Sequence, residues 1–156
     1  MNPYMTRTLA LLGEQDPILV LEATPLKLEA LLLQIDDVDC PYAPGKWDAR
    51  RIFAHLADNE LAAGFRLRQT VAQIAQVQPY DQDVWAARYG RTDPALSLAT
   101  FQALRAWNLT LYAGFSLEDW LTEVDHPEHG PVSVDLMVRL LAGHDLNHLE
   151  QLGRLI

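Results

Sequence analysis

Gly143-His144-Asp145-Leu146-Asn147-His148-Leu149-Glu150-Gln151-Leu152 lies inside a helical pattern that starts near Ser133 and continues to the C-terminus. Positions four apart on an α-helix are roughly 40° apart around its axis, so His144 and His148 stack on one face. Met137, Leu140, Leu141, Leu152 and Leu155 share that stripe, and both imidazoles therefore aim at whatever the helix packs against. A buried polar ring without a partner costs on the order of 1–3 kcal/mol. A shared divalent ion would satisfy both rings. A structural histidine pair is the alternative, because no glutamate follows His144 to make the metalloprotease form of the motif. Two ligands make a weak site, and a third has to come from elsewhere in the chain.

The chain has 156 residues, enough for one domain with a real core, here taken as 1–156, and too few for two. Apolar residues at 49% and charged residues at 21% fit a globular protein and argue against disorder. A net charge of −9 argues against a nucleic-acid partner, since such binding depends on Lys and Arg neutralising phosphates. The single cysteine, Cys40, excludes an internal disulfide framework and fits a reducing compartment. The apolar run Leu9–Leu12 is too short for a signal peptide and no run approaches a membrane span, so a cytoplasmic location without a membrane partner is expected.

Residues 1–15 have a short helical pattern. Asp16-Pro17 places an N-cap and a first-position proline before a helical pattern from Ile18 to Ile35. Thr24-Pro25 interrupts it, which predicts one kinked helix or two abutting ones. After the loop from Asp36 to Gly45, Asp48 caps a second long helix running to about Ala75, and Trp47 is in register with Ile52 as a hydrophobic staple. Phe53, Ala57, Leu61 and Phe65 form its expected apolar ridge. His55 is off that ridge, on a face with Arg51, Asn59, Ala62 and Arg66, where it either lines a polar cleft or is a solvated surface histidine.

A polar connection over 76–95, including Asp81–Trp85, is long enough to act as a lid or carry short helices. Asp93-Pro94 starts a third long helix with Leu98, Phe101, Leu104, Leu111 and Phe115 as its stripe and Arg105 and Asn108 beside it. Ser116 caps a short turn through Trp120 and Leu121, Val124–Pro131 is expected to be a loop, and Ser133 caps the last helix. No stretch alternates long enough to predict a strand. The fold class is all-α: a four-helix bundle packed near-antiparallel around one core.

In such a bundle, a histidine on the second helix together with the His-x-x-x-His pair on the last would give three ligands and leave coordination positions open. The stretches Pro44-Gly45-Lys46-Trp47-Asp48, His55-Leu56-Ala57-Asp58-Asn59-Glu60, Tyr80-Asp81-Gln82-Asp83-Val84-Trp85, His126-Pro127-Glu128-His129-Gly130 and Gly143–Leu149 follow one another in an order that is fairly specific as a set. Over roughly residues 16–156 the sequence resembles the DinB-like superfamily, which includes YfiT-type proteins and thiol-dependent transferases and isomerases. The resemblance implies an up-and-down-type four-helix bundle with one long connection, a homodimer, and a divalent ion held by His55, His144 and His148.

Three neutral imidazoles leave a divalent ion its full charge, so bound water would be acidified and a bound thiol deprotonated. The expected activity is that of a metal-dependent thiol S-transferase or hydrolase acting on a small molecule, with a low-molecular-weight thiol as one candidate partner. The alternatives are a non-enzymatic metal-binding or regulatory module, and a bundle whose histidines are structural. Zinc and nickel are the leading ions, with iron, manganese and copper behind them. No residue stands out as a general base. Asp58 and Asp145, each next to a ligand or near one in sequence, either orient an imidazole or serve as caps and ion-pair partners. Arg66 and Asn59 either hold an anionic substrate or, for Arg66 as for Arg105, the side chain pairs with a carboxylate. His126 and His129 are expected at the pocket rim.

Overall fold

The computed structural model describes residues 2–74, 77–126 and 129–156. Four long helices form the bundle: α2 (Pro17–Leu32), α3 (Ala49–Val71), α5 (Pro94–Tyr112) and α7 (Val134–Gly153). Shorter elements decorate it, namely α1 (Pro3–Leu12), α4 (Gln82–Ala86), a 3-10 turn at Tyr89–Arg91, and α6 (Leu117–Leu121). Around the ring each helix packs on two neighbours in the order α2, α5, α3, α7, so α2 faces α3 across the diagonal and α5 faces α7. The link from α2 to α3 and the one from α5 to α7 therefore each cross an end of the bundle. Among the described residues no helix is long and apolar enough to cross a membrane.

Polar side chains set the helix starts. Asp16, Asp48, Asp93 and Ser133 each accept a backbone N–H of the first turn of α2, α3, α5 and α7, and proline follows at the first position of α2 and α5. Ser116 and Asp119 form a complete capping box on α6. Helix α3 ends at Val71, earlier than predicted, and Gln73 beyond it adopts a left-handed φ of 59°. Ala75, the predicted end, lies outside the described residues.

Two predictions about the chain after α6 need correction. Glu123–His126 (β1) and Gly130–Ser133 (β2) pair antiparallel, with Val124 opposite Val132 and His126 opposite Gly130, where a loop without strands was expected. Four residues per strand are too few to show alternation in sequence. The inward side chains Val124 and Val132 nevertheless bury against Met5, Val77 and Leu140, and Gly130 supplies a left-handed φ of 71°. Pro127 and Glu128 of the intervening segment lie outside the described residues.

The apolar interior is divided. One cluster gathers Leu28, Ile52, Phe53, Leu56, Phe101 and Leu152, and the other Val20, Leu21, Leu67, Tyr112, Val138 and Leu141. Each bundle helix carries polar residues between its two apolar sets: Thr24, Glu60, Arg105 with Asn108, and Asp145, all buried. The predicted stripe of α5 is thus displaced, with Arg105 and Asn108 at the centre of its buried face and Leu104 and Leu111 at its margins. The ridge predicted for α3 is also corrected: Phe53 and Ala57 are buried, but Leu61 and Phe65 are 54% and 52% exposed.

Arg105 joins this polar layer. Its guanidinium donates to Glu60 Oε2 at 2.8 Å, Asp145 Oδ2 at 2.7 Å and the Leu21 carbonyl at 2.9 Å, and it lies over the Phe101 ring at 4.6 Å. Leu21 is four residues before Pro25, whose missing N–H leaves that carbonyl without its helical donor. Helix α2 thus runs through Pro25 as one element, with Arg105 supplying the lost hydrogen bond. Asn108 Nδ2 donates to Glu60 Oε1 at 2.8 Å and its oxygen accepts from Arg68 at 2.7 Å. Gly64 makes room for it, since a Cβ there would sit 2.5 Å from the Asn108 amide.

Candidate metal centre

His55 lies two turns into α3, while His144 and His148 are one turn apart on the neighbouring α7. The Nε2 atom of His144 is 2.9 Å from Nε2 of His55 and 3.1 Å from Nε2 of His148. The three ligand atoms all lie within 4.8 Å of one another. A neutral imidazole nitrogen either donates or accepts one in-plane hydrogen bond, so His144 Nε2 cannot satisfy both neighbours through protons alone. Three imidazoles at about 2.0–2.1 Å from a tetrahedral ion would have their nitrogens about 3.3 Å apart. The separations are close to that spacing, and the donor set fits a divalent cation.

His55 and His148 are buried and His144 opens partly onto a cleft. The solvated-surface alternative for His55 is therefore excluded, because it is 1% exposed. Burial disfavours the imidazolium and lowers the pKa of His55 to about 3, with His148 adding repulsion. Burial likewise lowers His148 to about 4. It pushes His144 well below its ordinary value, helped by the other two rings and by Arg105. All three are neutral at pH 7, the form that ligates a metal.

Other side chains set the ring orientations. His148 Nδ1–H donates to Gln151 Oε1 at 2.9 Å, leaving the Nε2 lone pair directed at the centre. Asn59 lies 3.4 Å from His144 Nδ1 and accepts from the Tyr80 hydroxyl at 2.8 Å. The amide nitrogen is the atom facing Nδ1; only the amide turned end for end would accept the Nδ1–H that a ligating Nε2 requires. Trp47 packs beside the rings, parallel to His148 at 6.5 Å and edge-on to His55 at 5.0 Å.

Neither aspartate proposed from sequence as a ring-orienting group is one. Asp58 accepts from the Tyr89 hydroxyl at 2.5 Å, and Asp145, whose carboxyl burial pushes up, is held by Arg105. Gln151 was missed, although its position three residues after His148 places it within reach on the same helix. Arg105 pairs with carboxylates as one of its two expected fates. Arg66 donates to the Gln78 carbonyl and lies over the Tyr80 ring at 5.1 Å.

His144 faces a cleft of about 490 Å³ whose walls include Tyr4, Asn59, Arg66, Tyr80, His126 and His129. His126 and His129 stack at 4.2 Å, and Tyr4 of α1 stacks on His129 at 5.8 Å. Both hairpin histidines thus stand in the wall where sequence placed them, away from the three converging nitrogens. The predicted connection carries α4 and the 3-10 turn, and its Tyr80 and Trp85 pack together at 4.5 Å beside the cleft.

Facing helices of a bundle that bring three neutral imidazoles together beneath a cleft define a helical-bundle protein with an open histidine centre. The DinB superfamily pattern matches residues 21–152, and the chain belongs to that superfamily. It is 30% identical over 132 residues to a protein of Oceanobacillus iheyensis named "putative metal-dependent hydrolase", covering 83% of this chain and 77% of that relative. A Bacillus cereus protein of the same name is 25% identical over 132 residues, covering 82% and 76%. Among solved structures, YfiT from Bacillus subtilis superposes with a TM-score of 0.83 at 24% identity, covering 92% of this chain and 87% of its own. It is described as a probable metal-dependent hydrolase with an unusual four-helix bundle topology. A mycothiol-dependent maleylpyruvate isomerase aligns with a TM-score of 0.66 at 16% identity over 98% of this chain and 64% of its own. The two structural likenesses extend to the fold. Family membership and the three-histidine cluster together support a divalent metal.

Proposed function

We propose that the protein is a metal-dependent hydrolase of small molecules whose ion is held by His55, His144 and His148. The observation that carries this reading is the convergence of three Nε2 atoms with the His144 edge open to the cleft. When bound, a divalent ion in such a set supplies a Lewis acid that acidifies water or a thiol at its open position. Zinc or nickel suits the all-imidazole donors. The chain's own contribution is to keep the rings neutral by burial and to fix the His148 tautomer through Gln151.

A thiol S-transferase is the second reading. It is favoured by Asp58 and Asp145 being engaged with Tyr89 and Arg105, which takes from the site the carboxylates nearest the ligands in sequence as bases for water. A metal-bound thiol is already deprotonated and needs no such base. Exposed Leu61, Phe65 and Trp107 on neighbouring α3 and α5 support a homodimer, and exposed Cys40 supports a cytoplasmic setting.

Protein purified without tag or chelator should contain one equivalent of divalent metal by elemental analysis, and His148→Ala should lose it together with turnover. Unchanged metal content in that variant would falsify the assignment. Assaying the loaded protein on ester and amide substrates, with and without glutathione, separates the two chemistries: turnover that needs no thiol supports the hydrolase.

A further inference from the structure

His144 borders two cavities. The first is the cleft of about 490 Å³ already described, and the second, of about 250 Å³, has His148 and Asn147 of α7 in its wall as well. Tyr42 and Trp47, from the connection before α3, form its aromatic side. Trp47 also packs on His55 and His148, so this side of the cavity is continuous with the histidine centre. Three charged side chains stand in the wall: Arg7 of α1, Lys46 of the same connection and Asp83 of α4. Two cations against one carboxylate give it a positive balance in a chain whose net charge is −9.

Among the described residues the ion pairs are made by Arg50, Arg51, Arg105, Arg139 and Arg154, and neither Arg7 nor Lys46 takes part in one. Asp83 lies in the same wall without pairing to either. Both cations therefore keep their charge for a guest. The backbone that carries Arg7 is also fixed. Thr8 is buried, and a Cβ at Gly143 would run into its carbonyl oxygen, so α1 meets α7 backbone to backbone one residue before His144. Arg7 precedes residues 21–152, the part matched by the superfamily pattern, so this cation comes from a segment outside that pattern. A guanidinium matches the planar two-oxygen edge of a carboxylate, and the ammonium adds a second point charge. With Asp83 opposing, the net positive charge is single, which suits a monoanion. Aromatic faces take a planar ring by offset stacking or edge contact.

We propose that this second cavity binds a small aromatic carboxylate, with the carboxylate held by Arg7 and Lys46 and the ring against Tyr42 and Trp47. The proposal rests on the three-histidine centre being the active site of the enzyme proposed above, and it names the substrate class. A guest seated there lies beside His144 and His148, within the same cavity as two of the three ligands. Arg7 and Lys46 are accordingly specificity-determining residues.

Benzoate is the probe, and the indole Nε1–H signal of Trp47 in proton–nitrogen correlation spectra of the full chain, assigned with Trp47→Phe, is the readout. Benzoate should shift that signal saturably. Arg7→Gln and Lys46→Gln should each weaken binding by about fivefold, and Arg7→Lys should recover part of the loss. Both side chains are exposed, so the substitutions leave the core intact. Benzamide, the neutral analogue, should bind at least about tenfold more weakly than the acid, and phenyl phosphate, with its second charge, no more tightly. The shift should persist in chelator-treated protein, because the two cations and not the ion hold the carboxylate. This last arm keeps the two proposals apart: native protein that takes up no metal would still bind benzoate, and metal-loaded protein whose Trp47 signal does not move would lose only the carboxylate site. Unchanged affinity in both glutamine variants, equal binding of benzamide, tighter binding of phenyl phosphate, or loss of the shift in metal-free protein would each overturn it.

Discussion

His148 depends on Gln151 in a way that can be measured. The Nδ1–H···Oε1 contact fixes the tautomer whose Nε2 lone pair faces the other two rings, and partners of this kind are typically worth about 10–100-fold in metal affinity. Gln151→Ala should weaken zinc binding by about that factor in competition with a chromophoric chelator, whereas Gln151→Glu should preserve or tighten it. Proton competition belongs to the same scale. The folded pKa values of His55, His148 and His126 lie at about 3, 4 and 4, below the ordinary 6.5. Between pH 6.5 and about 4 the unfolded chain therefore binds more protons than the folded one, and stability falls as pH falls. Each such histidine contributes up to about 1.4 kcal/mol per pH unit in that window. The melting temperature of metal-free protein should hold steady above pH 7 and drop below pH 6.5; a flat profile down to pH 5 would contradict neutral burial of the rings.

At the scale of the helix, α5 depends on one residue, Arg105, that hydrogen-bonds to each of the three other bundle helices. Arg105→Met keeps bulk but leaves Glu60 and Asp145 as buried carboxylates without their cation, a change that typically costs about 3–5 kcal/mol. Urea unfolding should show that loss, and Arg105→Lys should recover little of it, because an ammonium cannot bridge two carboxylates and the Leu21 carbonyl in the same planar geometry. This residue also marks where sequence was a poor guide. Helix starts were readable because Asp and Ser caps are local chemistry, visible within four residues. The faces of α3 and α5 were not, because an apolar stripe was taken to mean the core, and here each buried face is interrupted by Glu60 or by Arg105 and Asn108. Leu61 and Phe65 continued the apparent ridge of α3 to the outside. The β-hairpin escaped for a different reason: Val124 and Val132 acquire meaning only when they bury on Met5 and Leu140 from distant helices. His144 and His148 could be paired from spacing alone. Bringing His55 to them required the packing of α3 on α7, which bundle geometry allowed and the family resemblance implied.

For the molecule as a whole, an ion bound by α3 and α7 together stabilises the folded chain by mass action. Free metal at about a hundred times its dissociation constant adds about 2.7 kcal/mol. For a domain of this size that corresponds to a rise in melting temperature of roughly 5–10 °C. Calorimetry of loaded and chelator-treated protein should show that difference, and His148→Ala should abolish it. The polar layer across the bundle has a further effect on how the helices sit lengthwise. Apolar side chains would tolerate α7 sliding along its neighbours α2 and α3 by one turn, about 5.4 Å, and finding new holes to fill. Asp145 would not, since such a slip would strand it from Arg105. His144 is its immediate neighbour in the chain, so the same charge pairing that forbids the slip holds the imidazoles level with His55. The ion pair thus acts as a length gauge, setting the height at which the ligands from two helices meet.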